Sequence, residues 1–170
     1  AEISGEIEIA GPAGPFKLYG RADRIDLRTD GALEILDFKT GTPPSAPQVR
    51  VGFSPQLALE AMMARAGAFD PDFAGRSIAR LDWIGLGKVA RGEPVSSAVE
   101  KGWTADALAG VAEEQIAALV KAFDDPAHGY RSWARPQFQT RYESPYDHLA
   151  RVREWGLVWS EEDLEWPAPV

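Results

Sequence analysis

Alternation of apolar and polar positions organises the first third of this chain. From Leu33 to Lys39 a period of two places Leu33, Ile35, Asp37 and Lys39 on one face of a strand. The same period groups Asp23, Ile25 and Leu27. Between the two runs, Thr29-Asp30-Gly31 reads as a hairpin turn, with Gly31 suited to a left-handed position. A three-residue loop pairs Leu27 with Leu33, Ile25 with Ile35 and Asp23 with Asp37. A two-residue loop would set Leu27 against Glu34 and Asp26 against Ile35, mixing buried and solvated positions, so the first register is expected. Upstream, Glu6-Ile7-Glu8-Ile9 alternates as a strand does, and Gly11-Pro12-Ala13-Gly14-Pro15 breaks it.

Downstream the period changes. Gly41 to Pro47 is a proline-rich loop, and Ser54 is expected to cap a helix with Pro55 in its first turn, ending near Ala66 before Gly67. Leu81 to Leu86 reads as a buried strand and Gly92 to Glu100 as another. Thr104 opens the longest helix, Ala105 to about Phe123, whose Leu108, Val111, Ala112, Ile116, Leu119, Val120 and Phe123 form an apolar stripe suited to a core. Tyr146 to Trp155 reads as a final short helix. The pattern predicts an α/β fold, a mixed central β-sheet flanked by helices, as a single domain over residues 1–170.

Composition narrows the setting. The chain lacks cysteine, a signal-peptide pattern and any apolar run long enough to span a membrane, so a soluble cytoplasmic domain is expected. The two histidines, His128 and His148, follow an Asp-Pro turn and lie on the last helix, where surface or structural roles are the ordinary ones. Trp103, Trp133, Trp155, Trp159 and Trp166 have no periodic basic partners and suit packing better than base stacking.

Candidate chemistry lies in the hairpin. Its register sets Asp23 opposite Asp37 on an otherwise apolar face, with Lys39 one step further. Like charges opposed in this way destabilise a sheet, and burial adds to the cost unless a cation or a shared proton compensates. A hard divalent metal would compensate, since Mg²⁺ takes one or two carboxylates and keeps sites for water and phosphate. Two solvated aspartates on an edge hairpin are the plainer reading. Asp26 faces away from Asp23 and suits pairing with an arginine. Arg21, Arg24, Arg28 and Arg50 cluster around these stretches as candidates for phosphate contacts, although Arg24 and Arg28 can equally neutralise Asp26 and Glu34.

Three stretches in order carry a resemblance. They are Gly20-Arg21-Ala22-Asp23-Arg24-Ile25-Asp26, then Leu36-Asp37-Phe38-Lys39-Thr40-Gly41, then the helix opening Ser54-Pro55-Gln56-Leu57-Ala58-Leu59-Glu60-Ala61. Together they resemble the RecB-like nuclease domains of the PD-(D/E)XK superfamily, and more narrowly the C-terminal nuclease domain of AddB subunits of alphaproteobacterial AddAB helicase–nucleases. The tail from Tyr146 to Trp155 is similar to the end of such subunits, and the resemblance spans about Tyr19 to Trp155.

That resemblance implies a restriction-endonuclease-like core and a Mg²⁺- or Mn²⁺-dependent exonuclease hydrolysing DNA in double-strand-break repair. It implies Asp23, Asp37 and the Phe38 backbone carbonyl as metal ligands, Lys39 as the catalytic lysine, and Gln56 as the glutamine of a Gln-x-x-x-Tyr helix. Glu60 stands where that helix carries tyrosine and is a possible accessory to the site, as is Asp26. The family's histidine-bearing helix before the hairpin has no counterpart in the 22 residues preceding Asp23, so the chain reads as a C-terminal fragment, weak or inactive alone. Some relatives carry a four-cysteine iron–sulfur cluster, and a chain without cysteine cannot ligate one through thiolates. The implied partners are DNA, an AddA-type helicase subunit and the remainder of an AddB chain. A net charge of −8 is unusual for a protein that grips DNA by itself, and suggests that other parts of a larger machine deliver the substrate. A stand-alone RecB-like exonuclease and a non-cleaving docking module remain the alternatives.

Overall fold

The computed structural model describes residues 2–86 and 94–129. The chain divides into a compact unit, Ala1–Asp125, which holds every element below, and a second, Pro126–Val170. The tail reading from Tyr146 to Trp155, His148 and the tryptophans at 133, 155, 159 and 166 lie outside the described residues.

Strands β1 (Ile3–Ile9) and β2 (Phe16–Ala22) form an antiparallel pair, from Ile3 opposite Ala22 to Ile9 opposite Phe16. Asp23 is a bend, after which β3 (Arg24–Leu27) pairs antiparallel with β4 (Leu33–Lys39) in a different sheet. The hairpin register is the expected one, Ile25 opposite Ile35 and Leu27 opposite Leu33. Its turn closes through Arg28 N–H to the Ala32 carbonyl at 2.9 Å, with Gly31 at φ 85°. That angle is costly for any residue with a Cβ.

Helices α1 (Ala46–Arg50) and α2 (Gln56–Arg65) carry the chain over to β5 (Ile78–Gly85), which runs parallel to β4. A parallel neighbour requires such a crossover, because a tight turn can only reverse the chain. Strand β6 (Val95–Ser97) completes a mixed four-stranded sheet in the order β3-β4-β5-β6. Helix α3 (Ala105–Phe123) follows, with Thr104 Oγ1 accepting the Ala107 N–H at 3.1 Å.

Helix α2 lies in the middle of the unit, touching α3 as well as β1, β2, β4 and β5. It is therefore buried almost all round, through Leu57, Ala58, Ala61, Met62, Met63 and Ala64. Leu33, Ile35, Leu81, Trp83 and Leu108 complete the centre of the core. Close packing sets Gly5, where a Cβ would come within 2.7 Å of the Ala68 carbonyl oxygen.

Four local expectations are corrected. Asp23 and Ile25 do not share an uninterrupted strand, because the chain changes sheets at Asp23. The proline-rich loop ends at Ser45, where Gln48 Oε1 accepts the Ser45 N–H at 2.8 Å and α1 begins. Ser54 does not cap α2: Pro55 holds that position, with no side-chain bond to the helix. The apolar stripe of α3 is buried at Leu108, Ala112 and Val120, whereas Leu119 and Phe123 are 36% and 40% exposed.

Candidate active site

Strand β4 presents Leu33, Ile35 and Asp37 to the core by its period of two, so Asp37 is a carboxylate only 2% exposed. The same face brings Lys39 to it, with Nζ 2.8 Å from Asp37 Oδ2. Gln56, the first residue of α2, closes the group from the crossover side. Its Nε2 donates to Asp37 Oδ1 at 2.5 Å, and its Oε1 accepts from Lys39 Nζ at 3.1 Å. The parallel register places Trp83 of β5 beside Asp37, and Lys39 Nζ lies 5.0 Å from the centroid of its ring. Lysine is therefore held by a carboxylate, an amide oxygen and an aromatic face.

Asp23 reaches the same place from the sheet-switching bend. The β3–β4 ladder ends at Arg24 opposite Leu36, and beyond it Asp23 Oδ2 accepts the Phe38 N–H at 3.0 Å. A side-chain bond thus takes over where strand pairing stops, fastening Asp23 to the backbone next to Asp37. Glu60 adds a third carboxylate, 4% exposed, accepting from Gln56 Nε2 at 3.1 Å. Burial chiefly raises its pKa to about 7; the negative charges of Asp37 and Asp23 add to the rise, while the Gln56 bond and Lys39 oppose it.

The donors present suit a hard cation. Glu60 Oε2 and Asp37 Oδ2 are buried without a hydrogen bond, Asp37 Oδ2 meeting Lys39 only as an ion pair. Among the described residues, no three acidic or histidine side chains converge as a ready-made cation cage. Mg²⁺ does not require one, since it is commonly held by one or two carboxylates with water completing its shell. Asp23, Asp37 and the Phe38 carbonyl fit that donor set.

The remaining residues singled out in the sequence stand apart from this group. Asp26 is gripped by Arg24, whose Nε lies 2.9 Å from each carboxylate oxygen. Arg21 pairs with Glu2 at 3.2 Å, and Arg28 with Asp30 and Glu34. Arg50 pairs with Glu100 at 2.6 Å and covers the Trp103 ring. Each of these arginines carries an acidic partner. Sequence reasoning missed Trp83 as part of the site, because its place beside Asp37 depends on the order of strands.

A family model for the PD-(D/E)XK nuclease superfamily matches residues 1–143. The chain belongs to that superfamily, and its mixed sheet with flanking helices agrees with the restriction-endonuclease-like fold. Among curated proteins, it is 38% identical over 69 residues to an uncharacterized protein of Rickettsia bellii (strain RML369-C), covering 41% of this chain and 8% of that one. It is 34% identical over 91 residues to an uncharacterized protein of Rickettsia felis (strain ATCC VR-1525 / URRWXCal2), covering 54% of this chain and 10% of that one. The matched segments thus span about a tenth of the length of these relatives. No solved structure matches it significantly. Among the described residues, no helix is long and apolar enough to cross a membrane.

Proposed function

We propose that this domain hydrolyses DNA phosphodiester bonds with a divalent metal, Mg²⁺ or Mn²⁺, as the exonuclease of an AddB-type helicase–nuclease subunit acting in double-strand-break repair. The observation that carries this reading is the buried Asp37, contacted at once by Lys39 and by the Gln56 amide. Asp23, Asp37 and the Phe38 carbonyl would hold the metal. When bound, the metal would supply Lewis-acid activation and neutralise charge at the phosphate.

The chain's own residues do the rest. Lys39 has three donors and orients a water toward phosphorus, while Gln56 Oε1 and the Trp83 ring keep its ammonium beside Asp37. Asp23 is kept in place by the Phe38 N–H. The nearby arginines are occupied by acidic partners and the net charge is −8, so the domain contributes chemistry more than grip. Duplex delivery falls to an AddA-type helicase subunit and to the rest of the same chain. Relatives about five times longer than this chain leave room for such an assembly.

The ligand assignment is tested by Mn²⁺ titration of the native protein followed by water-proton relaxation. Asp23→Ala and Asp37→Ala should each weaken binding at least about tenfold, by analogy with the sensitivity of metal sites to their supporting residues. Asp26→Ala should bind as wild type does, because Arg24 already holds that carboxylate. Asp26 ranking with Asp23 would show the ligands to be wrongly chosen.

A further inference from the structure

Glu60 has no evident reason to be charged. It sits in the middle of a helix buried nearly all round, among Leu57, Ala58, Ala61 and Met63. Among the described residues it meets no arginine: its Oε1 accepts from the Gln56 amide, and its Oε2 is buried without a hydrogen bond. An isolated carboxyl in such a place costs stability that an apolar residue would not. The groups that face it are Gln56 from its own helix, Asp37 and Lys39 from β4, and Asp23 from the bend.

The Gln56 amide explains the arrangement. It has two donors and one acceptor oxygen, and all are engaged: Nε2 with Asp37 and Glu60, Oε1 with Lys39. Turned over, the amide would aim its oxygen at two carboxylates and its NH₂ at an ammonium. Asp37 engages only one of the two N–H donors of the amide. Glu60, one helical turn along the same face, engages the second. We propose that Glu60 is a positioning residue, which fixes the Gln56 amide and through it holds Lys39 at the edge of Asp37. Its catalytic meaning rests on the nuclease reading; its structural meaning does not.

Two readouts on the native protein separate these. The first is acetylation of Lys39 by a succinimidyl acetate reagent, quantified by peptide mass spectrometry, with the half-exposed Lys17 as internal reference. The second is the kcat and KM of DNA cleavage. Glu60→Leu, which has no acceptor, should raise Lys39 labelling several-fold without moving Lys17. It should lower kcat about 10²-fold with KM little changed, the scale expected for a misplaced reactive group. Glu60→Gln still offers an oxygen to Gln56, and should keep Lys39 protected and recover most of the rate. If Glu60→Leu fails to fold, Glu60→Ala carries the same expectation without steric demand.

Unchanged Lys39 labelling in a folded Glu60→Leu or Glu60→Ala protein would overturn the proposal. So would a Glu60→Gln protein as impaired as Glu60→Leu, since that would make the charge, not the amide contact, the requirement. Lys39 loosened by Glu60→Leu, in a protein whose Lys39→Ala variant still cut DNA normally, would keep the positioning role and remove the nuclease reading.

Discussion

On the proposed reading, Lys39→Ala is expected to abolish or nearly abolish DNA cutting by the native protein assayed with an AddA-type helicase subunit, while ATP hydrolysis and unwinding stay near wild type. Hydrolysis of a phosphodiester needs a positioned water and stabilisation of charge that develops at the transferring phosphate. Lys39 lies between Asp37 and Gln56 and over Trp83, and is the cation proposed for this. Loss of one preorganised electrostatic group of this kind costs on the order of 10²–10³ in rate. On the same reading, motor activity depends on parts outside this domain. Cleavage of a labelled linear duplex, assayed beside ATP turnover, separates the two. Cutting at the wild-type rate would transfer the reading to a nuclease-fold module that docks or guides DNA.

Stability of the metal-free domain should fall as pH rises through the weakly acidic range, and Glu60 should be the cause. Its folded pKa of about 7 lies above the ordinary value of 4.5, so the folded state holds a proton that the unfolded state has released. The contribution is fully present below about pH 4.5, declines as pH rises, and is gone above about pH 7. At about 1.4 kcal/mol for each tenfold difference in proton affinity, the loss is about 3 kcal/mol at most. Glu60→Gln removes the proton and should flatten this segment of the profile, leaving the variant more stable than wild type at pH 8. Urea unfolding of both proteins at pH 5 and pH 8, in chelator, measures the difference. Parallel profiles would show that Glu60 is ionised in both states.

The hairpin was legible because two independent signals agree: a period of two on either side and a turn ending in Gly31. The position of Asp23 was less so. Alternation runs smoothly through Ala22, Asp23 and Arg24, although the chain leaves one sheet for another there, and nothing in residue type marks the bend. The opposed aspartates suggested repulsion awaiting a metal, whereas Lys39, two residues along the same face, already neutralises Asp37. Gln56 and Glu60 were visible as helical neighbours, but their bond to each other depends on what lies opposite α2. Trp83 was visible only as a strand residue. Helix ends divided in the same way: Thr104 does cap α3, while Ser54, followed by a proline, lost its role to Pro55. The α3 stripe read as core to Phe123, yet Leu119 and Phe123 remain substantially exposed.

Lys39, Gln56 and Trp83 all adjoin Asp37, so its removal is the sharpest test of metal-dependent cleavage at this site. The measurement is the release of terminal label from a linear duplex by the native protein in Mg²⁺, compared with an Asp37→Ala variant of unaltered melting temperature. Wild type should release label rapidly, with none released in chelator, and the variant should lose on the order of 10²-fold or more, as for other groups that stabilise transition-state charge. Release by Asp37→Ala at the wild-type rate would contradict metal-dependent cleavage at this site.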